Sequence, residues 1–141
     1  MDEEGRVGIL MCAGCAFVCL FLFVSIALTE VAMQDRRLVS CADALASAGV
    51  SGASASTVFA GGNFGVDEEM ASSRVDRALA GLSDSTCRVG DGVSVSWVSV
   101  SGGEMEVGVR AHPRVSLLPQ VLRNAVVPEL VRTSSARLRG V

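Results

Sequence analysis

The chain has no lysine and no tyrosine, one histidine, one tryptophan and three prolines in 141 residues. All 12 basic residues are therefore arginine, and 15 acids leave a net charge of −3. A nucleic-acid module needs a basic face, which this balance does not supply. The lone His112 stands directly before Pro113, with no second ligand at metal spacing. No Gly-x-Ser-x-Gly is present, and no Lys-Ser/Thr follows Gly61, Gly62 and Gly65, so neither a nucleophile elbow nor a phosphate loop is encoded. The acids are scattered or fall at helix ends. Asp67, Glu68 and Glu69 read as a solvated first helical turn rather than a metal cluster. The expectation is a protein that is not an enzyme, with no catalytic, cofactor-binding or metal-binding residues.

Charge is also missing over 7–29, VGILMCAGCAFVCLFLFVSIALT. At 1.5 Å per residue this run spans about 34 Å, enough to cross a bilayer's hydrocarbon core. A helix is how a single span satisfies its backbone in lipid. A cleaved signal peptide is the rival. Ser25-Ile26-Ala27 has the small-x-small form, and cleavage after Ala27 would release a secreted binding module. Against it, the run outlasts a 7–15-residue signal core, and Asp2, Glu3 and Glu4 outnumber Arg6. We read a transmembrane helix. Arg6 lies on one side of it and Arg36 and Arg37 on the other. A simple count leans towards the C-terminal side being cytoplasmic. The sequence alone leaves the orientation open, and features of a secreted fold on the C-terminal side decide for that side lying outside.

At 100° per residue, Gly8, Cys12, Cys15 and Cys19 share one narrow stripe of the helix. Leu10, Phe17, Phe21, Val24 and Leu28 fall opposite. Small residues let helix backbones approach closely in a membrane, so the stripe reads as a helix-packing face.

The remaining organisation follows from periodicity. Residues 1–6 form a short N-terminal segment. Over 30–48 the helix continues as an amphipathic stretch, with Leu38, Ala42, Leu45 and Gly49 in one stripe that suits a sheet packed against it. Residues 49–65 are rich in Gly, Ala and Ser and read as a loop, with Phe59 and Phe64 tacking it to the core. Residues 66–141 read as a further helix and an antiparallel sheet. Asp67 is the expected N-cap. Met70, Val75, Ala78, Leu79 and Leu82 form the face of that helix, and Gly81 with Ser83-Asp84 ends it.

Valines alternate with polar residues beyond Cys87. A three-residue turn at Ser101-Gly102-Gly103 predicts a hairpin pairing Val95 with Val109 and Trp97 with Val107. Short strands are expected at 86–89 and 115–118, and a turn or short helix at 120–126. An edge strand is expected at 130–138, kept soluble by Arg132, Arg137 and Arg139. Cys41 and Cys87 are the only cysteines outside the apolar run. In an oxidising space they either pair or remain two thiols, one buried on the Ala face.

The order of a long N-terminal helix and then a small sheet matches pilin-like subunits. GRVGILMCAGCAFVCLFLFVSIALTEVAMQDRRLVSCADALASAGVSG resembles the N-terminus of TadE/TadG-like proteins of tight-adherence (Flp-type) pilus systems. The run Ala42-Asp43-Ala44-Leu45-Ala46 matches that family's A-D-A-L-A motif. CRVGDGVSVSWVSVSGGEMEVGVRAH is similar to the strands of actinobacterial TadE-like proteins, and TSSARLRG to their ending. TadE proteins proper carry a Glu near the start of the apolar segment, after a Gly cleaved by prepilin peptidase. Here Gly5-Arg6-Val7-Gly8 offers the Gly without the Glu, which brings the chain nearer the accessory type.

The resemblance implies an α+β, pilin-like fold and a role in assembling or stabilising a Tad-type pilus or related secretion apparatus. Expected partners are other pilin-like subunits, Tad-type assembly membrane proteins and the lipid bilayer, with no nucleic acid. The N-terminus is expected in the cytoplasm and the C-terminal domain outside the cell membrane.

Overall fold

A helix of 58 residues dominates the molecule. The structure, a computed structural model, describes residues 3–60, 67–101 and 103–137. Its elements in order are α1 (Glu3–Ala60), α2 (Glu68–Leu82), β1 (Val93–Ser101), β2 (Glu104–Ala111), α3 (Gln120–Val126) and β3 (Leu130–Arg137). The three strands make one antiparallel sheet in the order β1-β2-β3, so the chain is α+β. At 1.5 Å per residue α1 is about 87 Å long. Its Gly5–Ser51 section is long and apolar enough to cross a membrane, with a mean hydropathy of 2.7 in its most apolar stretch. Two hydroxyls there turn back on the helix. Ser25 Oγ donates to the Phe21 carbonyl and Thr29 Oγ1 to that of Ser25, both at 2.8 Å. Neither leaves an unpaired donor on the helix surface.

The expected loop over 49–65 is corrected: α1 runs on to Ala60. Adding residues to an existing helix costs little, because the nucleation step is already made. Gly49 does not stop the helix. It lies where the Met105 thioether and Val75 press on it, so a Cβ there would run into Met105. Glycine serves close approach at this position rather than termination. The Phe59 side chain, together with Gly61, Gly62, Phe64 and Gly65, lies outside the described residues.

The core forms where the upper part of α1 meets the sheet and α2. Leu38, Cys41, Ala42, Leu45 and Ala46 are buried on α1, Ala71 and Val75 on α2, and Met105, Val107, Val109 and Ala111 on β2. The Leu38-Ala42-Leu45-Gly49 stripe is the buried one. Asp67 caps α2 by accepting from the Glu69 amide at 3.2 Å. Met70, expected on the inner face, is half exposed, and Ala71 takes that place.

The hairpin departs from its expected register. Val95 does pair with Val109, but Trp97 pairs with Gly108 and Val98 with Val107. Ser96 is the extra residue of a β-bulge, which reverses the alternation beyond it. Val98 and Val100 then pack on the core while Trp97 moves to the outer face. There the indole lies over Gly108, which has no side chain to compete; a Cβ at 108 would strike the ring. Ser101 pairs with Glu104, so two residues rather than three connect the strands, and Gly103 takes a φ of +79°. Residues 86–89 and 115–118 form no strands. Cys87, Val89 and Val115 are nonetheless buried. These segments use their apolar side chains to plug the core while turns satisfy their backbones.

Candidate functional site

Two regions stand out, and neither has the form of a reaction centre. The first is the lower part of α1. Every described side chain of 5–24 is exposed. Gly8, Cys12, Cys15 and Cys19 stand on one side of it, the three cysteines as free thiols. A Cβ built on Gly8 would meet nothing within 4 Å. Among the described residues the stripe therefore makes no contact inside its own chain.

The second region is the junction between α1 and the domain. Cys41 and Cys87 are joined in a disulfide across a sequence separation of 46 residues. Three of the four apolar members of the Ala42-Asp43-Ala44-Leu45-Ala46 motif serve the core: Ala42, Leu45 and Ala46 are buried, and Ala44 is half-buried beside them. Asp43 points instead towards β3, where its Oδ1 accepts a hydrogen bond from Ser134. About two turns below on α1, Asp35 pairs with Arg132 at 2.9 Å. This contact is a charge pair rather than an aimed hydrogen bond, because Asp35 Oδ1 gains no hydrogen-bond donor. Arg132, expected to keep the strand edge soluble, thus faces α1. The inner side of β3 is mixed, with Leu130 and Ala136 packed against the core at its ends and the polar Arg132 and Ser134 between them, whereas that of β2 is apolar throughout.

Below these contacts, α1 grips the connection after β2. The Gln34 amide accepts from the Arg114 N–H at 2.7 Å and donates to the Arg114 carbonyl. Glu30 Oε2 accepts from the Ser116 N–H at 2.9 Å. Glu30 and Gln34 are one helical turn apart, so both reach the same strip of backbone. Asp91 then ties this strip to α3: Arg114 Nε lies 2.6 Å from Oδ1 and Arg123 Nη2 3.8 Å from Oδ2. The hydrogen bond from Arg114 holds the Asp91 carboxyl below the usual carboxylate range, helped by the charges of Arg123 and His112. At the opposite end of the sheet a hydrogen bond from Ser135, then Arg137, lowers the Glu104 carboxyl likewise. His112 is exposed, its Nε2 3.8 Å from Glu129. Among the described residues no three His, Cys, Asp or Glu side chains gather in a metal-binding group.

The Glu30–Gln34 grip was not foreseen from the sequence. Its signal was there: two long polar residues four apart, directly after the apolar run. Asp91 has no comparable signal, because its partners lie 23 and 32 residues away and only the fold brings them together. Compared with protein-family models, with curated proteins and with solved structures, the chain matches none.

Proposed function

We propose that the protein is a non-enzymatic, single-pass, pilin-like membrane protein of the TadE/TadG-like kind. In this reading it takes part in assembling or stabilising a Tad/Flp-type pilus or related secretion apparatus. The observation that carries it is the contrast along α1. Among the described residues the lower part has no partner in its own chain, while the upper part is cross-linked and packed into a small sheet domain. A helix left bare over about 34 Å needs lipid or other helices around it. The Gly8, Cys12, Cys15 and Cys19 stripe is the side where a partner backbone comes closest. The N-terminus is then cytoplasmic and the disulfide-bearing domain extracytoplasmic, where an oxidising space suits the Cys41–Cys87 bridge.

Cys15→Leu tests the reading. It adds volume in the middle of the stripe and leaves hydrophobicity nearly unchanged. Val24→Leu, on the opposite side, is the control. Helix packing in membranes is worth about 1–2 kcal/mol per good contact, so the expected loss is roughly ten-fold in co-purification with assembly partners. Equal loss in both variants, or loss in neither, removes the stripe as a recognition face. Intact mass of the mature protein checks that the anchor is retained rather than cleaved after Ala27. Protease added to intact spheroplasts is expected to digest the domain.

A further inference from the structure

We infer that the base of the sheet domain, formed by α3 and the turn before it, rests on the bilayer surface as a second membrane contact. This rests on the reading of α1 as a membrane anchor.

The height of the base is set by hydrogen bonds to α1. Glu30 is the first charged residue after the apolar run, and it holds the Ser116 N–H. Gln34, one turn higher, holds Arg114 through both backbone groups. Asp91 links Arg114 to Arg123 of α3. The end of the sheet nearest α3 carries the pairs Val93–Ala111 and Ala111–Leu130, with the hairpin turn at the other end. Residues 114–126 are thus fixed level with the point where α1 leaves its apolar run.

Large apolar side chains are exposed at this level. Val121 is 85% exposed, Val126 66% and Leu122 51%, with Leu117 at 47% and Met33 of α1 at 62%. On a helix Val121, Leu122 and Val126 lie within one 140° sector. Arg123, the one charged residue of α3, is turned inward to Asp91 with its side chain only 15% exposed. The sequence thus hides the charge of α3 and presents its valines and leucine. For a surface helix in water this arrangement is reversed; for one lying in a membrane interface it is the expected one.

Charge complements it. Beside Ser116 a cleft is lined by Arg37, Arg88 and Arg114, with Glu30 committed to the Ser116 amide. Arginines at this height suit the phosphates of lipid headgroups, while the apolar side chains reach the acyl boundary just below. A bilayer satisfies both chemistries at the two depths in which the fold holds them.

The test uses the full chain in phosphatidylcholine vesicles, with Cys12, Cys15 and Cys19 replaced by Ala and the Cys41–Cys87 bridge kept. Spin labels are placed singly through Val121→Cys, Ser99→Cys on the outer face of the sheet, and Phe17→Cys in the apolar run. Collision with lipid-soluble oxygen is compared with collision with a water-soluble nickel chelate. The label at 121 is expected to favour oxygen several-fold more than the label at 99, approaching that at 17. Equal chelate access at 121 and 99 overturns the surface contact while a lipid-exposed 17 keeps the anchor. Shielding of 121 from both agents assigns the face to a protein partner and overturns it too. Chelate access at 17 equal to that at 99 removes the anchor, and the inference with it.

Discussion

Below Glu30, α1 meets its surroundings on every side, with Ile9, Leu10, Met11 and Phe17 all mostly exposed. Above Gln34 one stripe of the same helix, from Leu38 to Val50, is sealed under a sheet. The sequence of each part follows from its setting. Where the surroundings are the same all round, apolar residues need no period, and only residue size distinguishes the sides. Where one side faces a sheet, the period of a helix returns, and Ala42, Ala46 and Gly49 keep that side thin enough for β2 to approach. Among the described residues the lower part therefore takes no shape from contacts within the chain. The upper part depends on contacts within the chain.

The largest effect on this contrast is expected from cutting the bridge. Replacing Cys41 and Cys87 together by alanine frees a 47-residue loop, counting both ends of the 46-residue separation. In the chain-entropy model this removes about 4 kcal/mol. The urea midpoint of the domain, followed by Trp97 fluorescence in detergent, should fall steeply, while the helical signal of the apolar part stays. An unchanged midpoint would show that packing alone unites helix and sheet.

Next come two glycines of the same helix. Gly49→Leu forces a side chain into the Met105 thioether and should cost about 1–3 kcal/mol by overpacking. Better helix propensity returns under about 1 kcal/mol of that. Adding Met105→Ala to the variant should recover part of the loss. Gly8→Leu has open space around it and should leave the domain midpoint unmoved. Equal costs at the two glycines would erase the distinction between the parts.

A smaller loss follows from Asp43→Ala, which strands the Ser134 hydroxyl. One hydrogen bond is worth about 1 kcal/mol, readable as a small shift of the same midpoint.

The smallest effect concerns acid. Asp91 has its carboxyl held below the ordinary value of 3.8 in the fold. Its contribution is therefore complete above that value and is lost as pH falls through the lowered one. Wild type should loosen its α3 docking as pH falls below 3.8, seen as faster amide exchange at 120–126. Asp91→Asn should show that faster exchange at neutral pH and no further acid step. An acid step retained in Asp91→Asn assigns it to another carboxylate.

Patterns of local period were readable from sequence: the apolar run, the Leu38-Ala42-Leu45-Gly49 stripe, the capped α2 and the Val95–Val109 pairing. The misreadings share a physical cause. The loop expected from Gly49 overlooks a distant neighbour, Met105, against which that glycine packs, and the expected Trp97–Val107 pairing overlooks Gly108, over which the indole lies. The bulge at Ser96 has a signal that the expected pairing passes over: the valines stand at 93 and 95 but then at 98 and 100, so the alternation changes phase at Trp97. Cys87, Val89 and Val115 make segments 86–89 and 115–118 look strand-like because these three are buried, and burial alone does not make a strand. At the domain base, Asp91 became a hub through contacts that no spacing announces.

The bridge also determines how the molecule carries tension. A pull between the lower helix and the β1–β2 hairpin passes along α1 to Cys41, crosses covalently to Cys87 and continues into β1. The helix beyond Cys41 lies off that route and stays slack. It serves as a splint, stiffening the sheet from one side without bearing load. In such a build the weakest loaded link is the backbone hydrogen bonding of the strands, so stretching should strip the hairpin while the joint between stalk and domain holds.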